Sequence, residues 1–417
     1  MSINRVTFFP VGNGDTTLIE ANDKTILTDI NYRCERYTDR FRTSIDVNGN
    51  IGNAATLGHE EASKPFQWIY YDFALDLQYA CYQSSYRSNR EYRLSLLVLT
   101  HPDKNNLTGF DKLFYRGDPA EFEDRPREDD KLILIEEIWI NPCFKDSQFE
   151  TDESKPVFQE IKRRLNLQGS KESELNGNRI SILEAPSSSS GLVKTFSRNI
   201  EAYVLSPVQK EGEISQAISG ENQQDVNDSS LVIRWTVKVF GGTNRIMLGG
   251  DATVDIWDRI WQNYQNNTDK LSWHILLAPH HCSIDALARK NQEGKHEYSE
   301  NALNALGQVE GDGFVVSSSK EIRHNDDVLP SWEAKQKYLG ILKDADETRF
   351  LNPDTRANAP LLYSPLQDDK PEPVVFTLTK EGPSLDEPAP ASPHTPHKIV
   401  PVETGNDEFG YKWNMKV

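Results

Sequence analysis

Four strand-like stretches of the chain have an apolar centre, and each runs into an acid or an imidazole. "RLSLLVLT" (93–100) leads to His101 and Asp103, "NRIMLGGDA" (244–252) to Asp251, "WHILLAPHHCS" (273–283) to His280 and His281, and "GFVVSSS" (313–319) to a turn with His324. A continuously apolar strand is covered on both faces, so these runs demand a sheet buried between layers. Chemistry commonly sits where such strands end.

The rest of the chain fits a mixed α/β domain. Three short strands with tight turns open it, at 5–10, 16–20 and 25–31, separated by "VGNGD" and "NDK". "LILIEEIWINP" (132–142) reads as a further buried strand and 373–382 as the last one. The spacing predicts amphipathic helices over 156–169, 253–265 and 331–344; in the second, Ile256, Ile260 and Tyr264 share a face. Two segments look like insertions, 32–92 with an aromatic helical stretch and 115–227 with Ser/Asn/Gln-rich composition. The domain therefore spans 1–382, and 383–417 reads as a Pro-rich linker and tail.

Composition narrows the function. Sixty-four acidic against 46 basic residues give a net charge of −18, which argues against broad nonspecific binding to nucleic acid. A local basic groove is still compatible with it; Lys104, Lys320 and Arg323 flank the motifs. Cys34, Cys81, Cys143 and Cys282 form no CxxC pair and suit buried thiols in a reducing compartment. The N-terminus lacks the apolar core of a signal peptide, and no run approaches the ~18 apolar residues of a membrane span. The expected location is cytoplasmic, away from the membrane.

Imidazole and carboxylate donors suit divalent metals of hard or borderline character. One His after a strand ordinarily makes a loop hydrogen bond, and an Asp in a "GD" turn ordinarily serves turn geometry. It is the repetition at four strand ends that favours a metal site.

The strings "VGNGDTTLIE", "ILTDIN", "LTHPDKNNLTG", "NDSSLVIRW", "IMLGGDA" and "LLAPHHCS" follow one another in the order of the metallo-β-lactamase fold. They resemble most the branch found in DNA-uptake competence proteins. The resemblance covers about residues 1–30, 93–110 and 228–325. It implies a four-layer αββα sandwich with metal at one sheet edge, and hydrolysis, often of phosphodiesters. Carried onto this chain, it makes His101 and Asp103 the first two ligands, Asp251 the metal-bridging acid, and one of His280 and His281 the last ligand. Asp15 and Asp29 brace the site, and His324 falls near a substrate-contacting position.

The signature turn departs from the family. Asn105 stands where an Asp is usual and Asn106 where a His is usual. An amide oxygen is a neutral ligand and cannot accept a proton as a carboxylate does. The donors that remain suit one divalent ion, zinc or manganese, rather than two. Proton handling then falls to Asp103, to His324, to the spare His of the pair, or to a partner chain. The resulting expectation is a one-metal phosphodiesterase or nuclease acting on nucleic acid or a nucleotide. The resemblance also implies a component of a multi-protein bacterial defence system, with a protein partner. The alternative is a catalytically inactive scaffold or partner-binding subunit that needs no metal.

Overall fold

The computed structural model describes residues 3–33, 71–85, 92–122, 132–145, 151–186, 191–208, 226–355 and 371–386. All lie in one compact unit, Met1–Asp386. Two large sheets dominate it. The first contains β1 (Arg5–Phe8), β2 (Thr17–Ala21), β3 (Lys24–Thr28), β4 (Leu96–Leu99), β5 (Glu137–Ile140) and β6 (Arg179–Ile182). The second contains β7 (Leu192–Ser197), β8 (Ile200–Ser206), β9 (Val232–Val239), β10 (Gly242–Leu248), β11 (Trp273–Leu277), β12 (Val309–Val316) and β13 (Phe350–Leu351). The chain then returns to the first sheet with β14 (Val374–Leu378) and β15 (Pro383–Leu385). The strand orders are β6-β5-β4-β3-β2-β1-β14-β15 and β7-β8-β9-β10-β11-β12-β13.

Each sheet is antiparallel on one side and parallel on the other. β3, β4, β5 and β6 run parallel, as do β10, β11, β12 and β13. Parallel neighbours end at the same sheet edge, so the segments after β3, β4, β10 and β11 are delivered to common edges. Ligands in open α/β sheets bind outside such carboxyl ends.

The packing explains the apolar runs. In β4, Leu96 and Val98 face the second sheet, while Leu97 and Leu99 face the outer layer, and all four are buried. The inter-sheet core sets Val6, Ile19, Ile26 and Trp139 against Ile233, Trp235, Ile246 and Ile275. Trp139 and Trp235 stack across it with centroids 5.7 Å apart. Outside the first sheet lie α1 (Ala74–Ser85), α2 (Phe110–Leu113) and α3 (Lys155–Asn166), contributing Leu77, Phe110 and Ile161 to its core. Outside the second lie α4 (Val254–Tyr264), α5 (Glu300–Leu306) and α6 (Trp332–Leu342), contributing Trp257, Leu306 and Tyr338. The side chains of Ser299 and Ser331 accept from Ala302 N–H and Ala334 N–H, capping α5 and α6. The result is the expected four-layer αββα sandwich.

Several boundaries differ from those expected. The third opening strand is broken at Asp29, whose φ of 55° lies in the left-handed region. Residues 115–227 are not simply an insertion, because β5 to β8 complete both sheets. The helical stretch of 32–92 appears as α1, while 34–70 and 86–91 lie outside the described residues. Pro383–Leu385, assigned to the tail, pairs with β14; residues 387–417 lie outside the described residues. Among the described residues, no helix is long and apolar enough to cross a membrane.

Candidate metal centre

Asp251 is the hub of the strand-end cluster. It follows β10 and is 4% exposed. Its Oδ2 lies 3.4 Å from His101 Nε2 and 3.8 Å from His280 Nε2, and its Oδ1 lies 3.4 Å from His281 Nε2. The other ring nitrogen of His281, Nδ1, lies 3.3 Å from Asp15 Oδ1. His101, His281 and Asp15 are buried like Asp251. Asp15, Asp251 and His281 each present a ligand atom within 4.8 Å of the others. This group contains His281 rather than His280, and Asp15 joins it through its contact with the His281 ring.

Charge follows from burial and pairing. Burial opposes ionisation of Asp251, but His281, His101 and His280 outweigh it and hold the carboxyl far below its usual range. Burial likewise opposes protonation of His101 and His281; Asp251, with Asp103 for both and Asp15 for His281, pushes each up to about 9. His280 goes the other way, because burial outweighs its weaker attraction to Asp251.

Outer contacts fix both rings. Thr100 N–H and O–H donate to Asp29 Oδ1 and Oδ2, at 2.8 and 2.6 Å. The Thr100 hydroxyl proton is thereby committed, so its oxygen, 3.0 Å from His101 Nδ1, accepts from that ring. Nε2 is then the atom of His101 that sheds its proton to a cation. Asp15 does for His281 what this relay does for His101, the usual carboxylate support of a metal-binding imidazole. Asp29 is fully enclosed, and burial raises it to about 8.

The backbone here is strained in a way that aims the imidazoles. His280, His281 and Cys282 have φ of 51°, 51° and 63°, three consecutive non-glycine residues in the left-handed region. Each costs about 1–2 kcal/mol and persists only where the surroundings enforce it. His280 N–H donates to Gly250 O, and Ser331 N–H to Cys282 O, both at 2.9 Å. Gly250 is required beside them: a Cβ there would sit 2.6 Å from Thr100 Oγ1.

The remaining residues of the expected set are placed differently. Asp103 Oδ1 accepts from Asn105 N–H at 2.7 Å and caps a short 3-10 turn, Lys104–Asn106; it is not in the three-residue donor group. Asn106 is enclosed as a bracket, its Oδ1 accepting from Asp15 N–H (3.1 Å) and its Nδ2 lying 3.3 Å from His101 Nδ1. Asn105 Oδ1 accepts from Arg33. His324 is exposed and packs on Trp332, with centroids 5.1 Å apart. Lys104 and Lys320 are exposed, and Arg323 is paired with Glu321. Thr100 and Arg33 have no motif that marks them; Thr100 is visible only as the neighbour of His101.

The donors fit a cation. His101 Nε2, Asp251 Oδ1, Asp15 Oδ1 and both ring nitrogens of His281 are buried without a hydrogen-bond partner. Buried polar atoms are nearly always satisfied, so this cluster of unsatisfied atoms has the chemistry to hold a cation once the imidazoles give up a proton to it.

No protein-family profile and no curated protein matches the sequence. Among solved structures, the chain is similar to the metallo-β-lactamase fold protein YhfI from Bacillus subtilis, at 8% identity and a TM-score of 0.33, over 83% of this chain and 95% of that one. A variant of the β-hydroxylase CmlA matches at 8% identity and a TM-score of 0.31, over 83% of this chain and 52% of that one. The metallo-β-lactamase GOB-18 from Elizabethkingia meningoseptica matches at 11% identity and a TM-score of 0.25, over 84% and 92%. The four-layer architecture itself rests on the chain's own two sheets and three cores.

Proposed function

We propose that this protein is a metal-dependent hydrolase with a single divalent ion, zinc or manganese, acting on a phosphoester of nucleic acid or a nucleotide. The observation that carries the reading is the set of unpartnered buried donors around Asp251. His101 and His281 would bind through Nε2, and Asp251 through its carboxylate. Asp15 would orient His281, and Thr100 with Asp29 would orient His101. When bound, such an ion supplies Lewis acidity to a phosphoryl oxygen and acidifies water. The left-handed turn at 280–282 keeps the imidazoles aimed before the ion arrives, so little reorganisation accompanies binding.

A second reading is an inactive, partner-binding subunit. It is favoured by Asn106, which is wholly enclosed and serves as a structural bracket. Metal analysis separates the two. Protein purified without chelator is expected to carry about one zinc or manganese per chain, and EDTA is expected to lower its melting temperature by on the order of 5–10 °C. Metal-free protein whose melting temperature ignores EDTA would support the second reading.

Thr100→Val keeps the side-chain shape and removes the hydroxyl between Asp29 and His101. The expected result is a metal affinity lower by roughly 10–100-fold, as for loss of an outer-shell partner. Competition with a chromophoric chelator measures it, and unchanged affinity would mean that His101 needs no orienting contact.

A further inference from the structure

One of the two amides of the signature turn, Asn105, holds a cation of the protein's own, Arg33. Tyr32 N–H donates to Thr108 O at 2.9 Å, which carries the chain past the Asn105–Asn106 turn. Arg33 follows. Its Nε donates to Asn31 Oδ1 at 2.7 Å and one terminal nitrogen, Nη2, donates to Asn105 Oδ1 at 2.5 Å. Asn31 is itself fixed: it is buried, its N–H donates to Thr16 Oγ1 and its Nδ2 to Val11 O. A Cβ on Gly14 would collide with that amide, 1.9 Å from Nδ2, so the loop must carry glycine for Asn31 to sit there.

Both anchors are neutral amides. Among the described residues no carboxylate pairs with Arg33, whereas Arg5, Arg245, Arg289 and Arg323 each pair with one. Of the five N–H donors of a guanidinium, the inner fork is committed and the outer edge is not. The next residue along the turn, Asn106, touches His101 and Asp15, so the amide that holds Arg33 and the one that braces the donor cluster are neighbours in the chain.

We propose that Arg33 is an anion clamp, whose outer edge takes two oxygens of a phosphoryl group. It supplies, from the side chain of the protein, positive charge on the side of the turn where Asn105 and Asn106 no longer favour a second metal. The fork geometry suits a phosphate, and the fixed inner edge sets its direction. The inference deepens the hydrolase reading and rests on it for the substrate class, though the clamp itself does not require a metal.

The test is inorganic phosphate titrated calorimetrically into the full-length protein as purified, with metal content measured on the same samples. Arg33→Ala should weaken phosphate binding by at least ~10-fold, the loss of a charge-assisted, two-point contact. Arg33→Lys should fall between, because a point charge does not reproduce the fork. Asn105→Asp, which would neutralise the clamp in place, should weaken binding as well, with metal per chain unchanged in all three. Equal phosphate affinity in wild type and Arg33→Ala, or no phosphate binding by wild type, overturns the clamp. Should Arg33→Ala fail to fold, unchanged affinity in Arg33→Lys and Asn105→Asp overturns it. Wild-type protein without metal whose phosphate affinity still depends on Arg33 would retain the clamp and discard the hydrolase.

Discussion

Asp251→Ala is expected to lose metal affinity by more than the ~10–100-fold that an outer-shell change costs, leaving no metal after gel filtration. The carboxylate faces three imidazoles, those of His101, His280 and His281. Asp251→Asn should behave similarly, since it keeps the volume and removes the charge. The metal-stripped proteins carry a second signature. In the wild type, His101 and His281 are pushed up to about 9, above the ~6.5 of an unfolded chain. Protonated imidazoles in the fold therefore contribute stability that is full below about pH 6.5 and is lost as pH rises through 9. Both Asp251 variants should flatten that decline in urea denaturation followed against pH. Metal retained by Asp251→Ala, or an unaltered pH profile, would remove Asp251 from the centre.

The sequence exposed the parts of this site that strand burial dictates. His101, Asp251 and His281 each follow a run whose two faces are both covered, and a reader needs only the apolar string to see where it stops. The runs by themselves indicate buried strands in a mixed α/β chain; the αββα order is an expectation from the resemblance of the ordered motifs. What spacing does not reveal is how a side chain spends its hydrogen bonds. Asp103 has the HxD spacing of a ligand, and one of its oxygens also caps the next turn, which the spacing does not announce. Asp15 reads as a framework acid, and it is a left-handed turn that brings the His281 ring onto it. That turn is invisible in "PHHCS", which contains no glycine to announce positive φ. Arg33 is further from legibility, since its partners lie 2 and 72 positions away and only the fold unites them. At the level of elements, α5 was missed because "ENALNAL" is too short to display a helical period. β7 was hidden by the Ser-rich composition around it, whereas "IEAYVLSP" already reads as a strand and forms β8; both complete the second sheet.

The double exchange Asn105→Asp, Asn106→His puts a carboxylate and an imidazole in place of the two amides, and it is expected to leave one metal per chain and a fold weaker by about 2–5 kcal/mol. Asn106 is completely enclosed, so a larger ring overpacks its pocket. The exchange also removes the amide oxygen that accepts Asp15 N–H, and an unsatisfied buried donor costs about 1–3 kcal/mol. At the neighbouring position, the introduced carboxylate meets the guanidinium of Arg33 at hydrogen-bond distance and is neutralised there rather than turned toward a cation. Adding Arg33→Ala frees that carboxylate but leaves the bracket to Asp15 broken, so the triple variant should also stay at one metal. Metal analysis beside urea denaturation reads both quantities. Two metals per chain with wild-type stability in the double variant would mean that the two amides have no structural part of their own; one metal with a weakened fold would mean that the surrounding structure depends on them.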